Sequence, residues 1–145
     1  MKTSTGVALG LAAAFGLLSA LHVTWALGGK LASGSVIPVV DGTPALRPSA
    51  GTTLAVAGLL AAAALVVLVR AGVLLPSFPP RLATFATIVL GAILVLRAVG
   101  DFRLVGFGKT VRGTAFAYWD SVLYSPIALV LGLSALWLAS TARPK

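Results

Sequence analysis

The residues able to move protons or hold charge are few in this chain. There is one histidine, His22, and three acidic residues, Asp41, Asp101 and Asp120, with neither glutamate nor cysteine. Without cysteine, thiol nucleophiles, disulfides and thiolate metal sites are excluded. A single histidine cannot give a monomer two axial haem ligands, and neither a metal site nor any other cofactor is expected. What remains is His22 as a proton donor or acceptor, tuned by an aspartate, and Arg97 or Arg112 as the holder of an anionic headgroup. Three pairs have helical spacing: His22 with Trp25, Arg97 with Asp101, and Asp120 with Tyr124. The candidate binding residues are therefore His22, Trp25, Arg97, Asp101, Arg112, Asp120 and Tyr124; no catalytic residue is assigned.

The elements that must position these residues are set by composition. Of 145 residues, 59% are hydrophobic and only 10% charged, and the mean hydropathy is +1.05. A water-soluble fold has too little polar surface here to cover itself. The net charge of +8 would suggest nucleic acid in a soluble protein. The basic residues instead cluster at the ends of apolar runs, where they meet lipid headgroups, so membrane lipids and not nucleic acid are the expected partners.

Four apolar segments, 5–27, 52–75, 82–99 and 121–140, each approach the roughly 20 residues that a helix needs to cross the hydrocarbon core. Uniform apolar stretches such as 59–69 lack the alternation of membrane strands. The expected fold is all-α: one domain, an antiparallel four-helix transmembrane bundle, with long polar loops at 28–51 and 100–120. The run Pro76-Ser77-Phe78-Pro79-Pro80 forces a tight hairpin between the second and third spans. Asp41-Gly42 and Arg47-Pro48 mark turns in the first loop. Ala26-Leu27-Gly28 offers a small-x-small cleavage site, but the uncharged stretch before it exceeds a signal core, so a retained span is expected. Basic residues divide almost evenly between the two sides. Lys2, directly ahead of the first span, favours both termini inside a bacterial cytoplasmic membrane.

Four antiparallel spans bring the end of the first, the end of the third and the start of the fourth to one membrane face. His22 and Trp25, Arg97 and Asp101, and Asp120 and Tyr124 meet there. Ionisable groups at membrane depth face the bundle interior and pair with one another. The ordinary reading makes Arg97–Asp101 an ion pair closing the third helix, Asp120 the N-cap of the fourth, and Trp25 and Tyr124 members of the aromatic belt. The functional reading makes the same residues a polar pocket. Gly106-Phe107-Gly108-Lys109-Thr110 echoes a phosphate loop, but Arg103 occupies the upstream glycine position and no strand precedes it. Gly6-x-x-x-Gly10 and Ala128-x-x-x-Gly132 permit close helix approach, and Pro126 should kink the fourth helix and free a carbonyl near Tyr124.

Two stretches, 21–29 (LHVTWALGG) and 97–126 (RAVGDFRLVGFGKTVRGTAFAYWDSVLYSP), resemble a family of small bacterial integral membrane proteins known as the domain of unknown function number 3995. The likeness carries His22, Trp25, Gly28, Gly29, Gly100, Asp101, Phe102 and Arg103, with Asp120, Tyr124, Ser125 and Pro126. It implies a four-span bacterial membrane protein and transfers no catalytic role. The leading functional expectation is the binding of a lipid or other hydrophobic molecule at the polar cluster. The alternatives are a membrane enzyme using a His–Asp pair, and an accessory subunit packing on another membrane protein or a second copy. Proton-coupled export is disfavoured, because no carboxylate lies within a span.

Overall fold

The computed structural model describes residues 2–31 and 35–141. Four helices are long and apolar enough to cross a membrane: α1 (Lys2–Ala26), α2 (Ala50–Arg70), α3 (Pro80–Val99) and α4 (Ala115–Ser140). The chain is thus the all-α four-span bundle expected, with one small addition. Strands β1 (Val39–Val40) and β2 (Thr43–Pro44) pair antiparallel across Asp41-Gly42. Both turn residues have positive φ, 49° and 75°, the geometry in which a two-residue Asp-Gly turn matches the twist of its strands.

Local signals set the helix ends. Ser49 caps α2 by accepting the Thr52 amide at 3.1 Å. Pro80 opens α3, where a missing N–H costs nothing, and Gly100 ends it at φ 96°. Helix α2 stops at Arg70, not at 75 as expected, and a turn through Gly72 (φ 72°) leads to the proline-rich break. Gly72 makes the stop, its amide bonding the Val69 carbonyl and that of Val73 the Leu68 carbonyl, and Arg70 ties this end to α4. Arg70 is 3% exposed and donates to the Ala139 carbonyl at 3.0 Å and to that of Thr141. A cation is thereby placed at the negative C-terminal end of α4.

Helix α4 also begins earlier than expected, inside the presumed 100–120 loop. Thr114, not Asp120, is its N-cap, accepting the Ala117 amide at 3.0 Å. From Asp120 to Tyr124 the helix widens into a π-turn, in which the Ser125 amide bonds the Asp120 carbonyl. Pro126 follows immediately. A proline cannot bond the carbonyl four residues back and its ring crowds it, and the π-turn absorbs that conflict without ending the helix.

The helices pack as two close pairs, α1 with α2 and α3 with α4, and the pairs meet more sparingly. In the second pair Gly91 and Gly132 lie face to face. A Cβ on Gly91 would sit 2.9 Å from the Gly132 carbonyl oxygen and 2.7 Å from Leu136. A Cβ on Gly6 or Gly10, by contrast, would meet nothing within 4 Å; only the Ala128–Gly132 half of the small-residue expectation is used inside the bundle. Between the pairs, Ala8, Leu11, Phe15, Val67, Ala135 and Leu138 form a closed core. All but Phe15, which sits mid-helix at the border of the cavity described below, lie toward the end of the bundle that carries the α2–α3 turn. Large apolar side chains face outward (Leu17 is 74% exposed, Leu59 71%, Leu96 67%), as suits a surface solvated by acyl chains.

Gly91→Ala should therefore destabilise the bundle by about 1–3 kcal/mol through overpacking. Gly10→Ala should be neutral, or stabilising by up to about 1 kcal/mol from helix propensity. Equilibrium unfolding in mixed micelles checks both; equal effects would mean that the two glycines share one role.

Candidate polar site at the open end of the bundle

At the opposite end the organising group is Asp120. Its side chain is completely buried at the start of the π-turn. Oδ1 accepts Arg97 Nη2 at 2.7 Å; Oδ2 accepts Lys109 Nζ at 3.0 Å and the Gly106 amide at 2.8 Å. Lys109, 3% exposed, also donates to the Gly106 carbonyl at 3.0 Å and to Ser121 Oγ at 2.7 Å. One carboxylate thus ties α3, the α3–α4 loop and α4 together. A buried charge is tolerated only when paired and hydrogen-bonded in this way.

The loop is shaped to deliver Lys109 and the Gly106 amide. Asp101 accepts the amides of Arg103, Leu104 and Val105 at 2.9, 2.7 and 3.0 Å. These bonds hold its carboxyl below the ordinary 3.8, the Val105 amide contributing most. The loop then returns against the end of α3, where the Phe107 and Gly108 amides bond the carbonyls of Ala98 and Val99. Gly100 and Gly106 meet back to back there, both at positive φ, and a Cβ on either would collide with the other's backbone segment.

Beside this hub lies a cavity of about 680 Å³ between the two helix pairs. Its inner wall is apolar, with Phe15, Leu60 and Leu131; its outer end carries His22, Trp25, Arg97 and Tyr124. Arg97 is 34% exposed there. A carbonyl only accepts, so the 2.8 Å contact of His22 Nδ1 with Leu18 O makes Nδ1 the protonated nitrogen. The His22 and Trp25 rings meet edge-on at 4.8 Å, and Trp25 Nε1 donates to Leu31 O at 2.6 Å. Tyr124 OH lies 3.4 Å from Ser35 Oγ of the α1–α2 loop. A second cavity, about 560 Å³, lies across His22 and Trp25, under the β-hairpin.

The profile of a family described as "Protein of unknown function (DUF3995)" matches residues 15–135. The chain belongs to the DUF3995 family. No curated protein and no solved structure matches it. The hub and every residue that lines the larger cavity fall within the stretch matched by the DUF3995 profile.

The structure gathers four of the seven candidate residues, His22, Trp25, Arg97 and Tyr124, around one cavity. Two expectations are corrected. Arg97 pairs with Asp120 and not with Asp101, because α3 ends at Val99 and Asp101 is drawn into the loop turn. Asp120 is a buried anchor and not a helix cap. Arg112 is exposed and lines neither cavity. Lys109 is the hub residue missing from the seven candidates: the Gly106–Thr110 run stands out only as a failed phosphate-loop echo, and nothing local marks its lysine as a partner of Asp120. The nearest signal is the flanking Gly106 and Gly108, which let the loop approach α3 closely enough to bury an amine. Among the described residues no three His, Asp or Glu gather to hold a metal ion.

The two aspartates should separate by size of effect and by pH. Asp120→Ala leaves Arg97 and Lys109 without their carboxylate and should cost about 3–5 kcal/mol; Asp101→Asn, which keeps an acceptor oxygen and loses only the charge, should cost less than about 1 kcal/mol. A carboxyl with a lowered folded pKa stabilises above its unfolded value and loses that contribution as pH falls through the folded one. The stability gap between wild type and Asp101→Asn should thus be full above about pH 4 and close on further acidification, as thermal melts across pH would show.

Proposed function

We propose that the protein binds a hydrophobic molecule in the cavity between its two helix pairs, with the ligand's polar end at Arg97, His22 and Tyr124. The observation that carries this reading is the cavity itself. Its volume, about 680 Å³, falls in the range of small-molecule sites, about 300–1,000 Å³, and it combines apolar walls with few convergent polar groups, as such sites do. From Phe15 to Trp25 the wall follows α1 for about 15 Å at the helical rise, the reach of an extended chain entering from the membrane face.

The acid–base reading has less support. His22 is bonded to Leu18, while the carboxylates of Asp101 and Asp120 serve backbone amides and buried cations. Neither of these aspartates orients the imidazole, so they form no His–Asp pair with it.

Lipid analysis of the protein extracted in polymer-bounded discs tests the binding reading. A species enriched over bulk membrane lipid is expected, depleted roughly tenfold in Leu60→Trp, which fills the inner wall. A bulk-like lipid profile in wild type would sink the proposal. We place the protein in a bacterial cytoplasmic membrane with both termini inside, since Lys2 stands directly ahead of the apolar span that begins at Thr3. The chain lacks cysteine, so single reporters read this cleanly. Ser77→Cys should label only from the cytoplasm and Thr110→Cys only from outside; the reverse pattern would invert the topology.

A further inference from the structure

The hub next to the cavity does not balance. It holds one carboxylate, Asp120, and two cations, Arg97 and Lys109. The remaining aspartates stand elsewhere: Asp101 is committed to three loop amides, and Asp41 occupies the turn of the β-hairpin. The cluster therefore carries one surplus positive charge around a carboxylate and an ammonium that are almost completely buried, where an uncompensated charge is expensive.

Geometry decides where the surplus is presented. The ammonium of Lys109 is sealed, with the Asp120 carboxylate, the Gly106 carbonyl and the Ser121 hydroxyl at 3.0, 3.0 and 2.7 Å. Arg97 makes one short bond, to Asp120, and a long one of 3.5 Å to Ser125 Oγ. Its other N–H donors find no partner among the described residues, and the side chain is one-third exposed and lines the cavity. Tyr124 OH, at the same end, has only the 3.4 Å contact with Ser35 among the described residues. The apolar wall of Phe15, Leu60 and Leu131 continues inward from these donors.

We infer that the ligand is a single-chain amphiphile with one negative charge, a carboxylate or phosphodiester held by Arg97, and that Lys109 sets this charge selectivity without touching the ligand. The inference rests on the binding reading above and adds the ligand's charge. Asp120 would by itself neutralise Arg97. Lys109 competes for the same carboxylate and leaves the guanidinium electrically unsatisfied toward the cavity. An anionic head completes the cluster at zero net charge, whereas a cationic head would double the imbalance.

Two cavity residues, Trp25 and Trp119, make the test direct. Protein in nanodiscs of zwitterionic lipid, in mildly alkaline buffer, is titrated with brominated stearate, stearyl alcohol or stearyltrimethylammonium, and saturable quenching of tryptophan fluorescence is read. Stearate should bind roughly 10- to 100-fold more tightly than the alcohol, the effect of a charge-assisted hydrogen bond, and the ammonium chain should bind weakest. Lys109→Met should collapse the stearate-to-alcohol ratio while leaving the alcohol's affinity unchanged, which a merely structural role for Lys109 would not do. Where that variant is not recovered folded, Arg97→Gln must abolish the same ratio, and its persistence would overturn the inference. Equal binding of all three chains in wild type refutes charge selection while the cavity reading stands; no saturable quenching by any chain refutes both. Acetate should fail to displace stearate; displacement by acetate would assign the site to a free anion and overturn the amphiphile.

Discussion

A carboxylate buried at the end of a membrane bundle must be surrounded by donors, and much of the architecture at that end follows from meeting the requirement at Asp120. Its oxygens are reached from α3 by Arg97, from the loop by Lys109 and the Gly106 amide, and they sit on the first turn of the widened segment of α4. No single helix could supply these partners. The loop must therefore fold back onto α3, which demands the glycine contact between Gly100 and Gly106 and the amide cap that Asp101 provides. The hub acts as a polar lock holding α3 and α4 at a set separation, where lipid offers no hydrophobic drive between helices.

The two ends of the bundle solve different problems. Toward the α2–α3 turn, small and medium apolar side chains close the space between the helix pairs, and Arg70 ties the end of α2 to the last carbonyls of α4. Toward the hub, the same pairs leave a cavity. Packing in a membrane comes from close van der Waals contact of small residues. The Gly91–Gly132 contact supplies it for α3 with α4, while aromatic and branched residues, Trp25, Phe116 and Leu123 among them, line the cavity at the other end. The cavity thus lies between a closed apolar core and an ion-paired polar end, a preorganisation that on the proposed reading favours binding over collapse.

The hub also couples electrostatics to shape. A symmetric one-to-one ion pair would anchor the helices equally well and leave the cavity neutral. The second cation comes from a loop whose glycines permit its burial, so the loop contributes charge to a cavity that it does not line. On the proposed reading, this separates the residue that would contact a ligand, Arg97, from the residue that would determine what Arg97 accepts, Lys109.

Much of this was legible in the residues themselves. Long apolar runs in a chain with so few charges admit only membrane helices, since backbone groups in lipid must be satisfied within the segment. Chain order alone brings the ends of the first, third and fourth spans together, and four of the seven candidate residues do share one cavity. Tertiary structure decided the pairings. Helical spacing offered Asp101 to Arg97, but spacing predicts contact only while the helix continues, and Gly100 ends it. Asp120 looked like a cap because a polar residue before an apolar run usually is one; Thr114 starts the helix earlier and turns that position inward. Whether Lys109 is a surface charge or a buried partner depends on how closely the loop approaches α3. That approach is set by backbone sterics between Gly100 and Gly106, a through-space relation that the local glycines permit but do not specify.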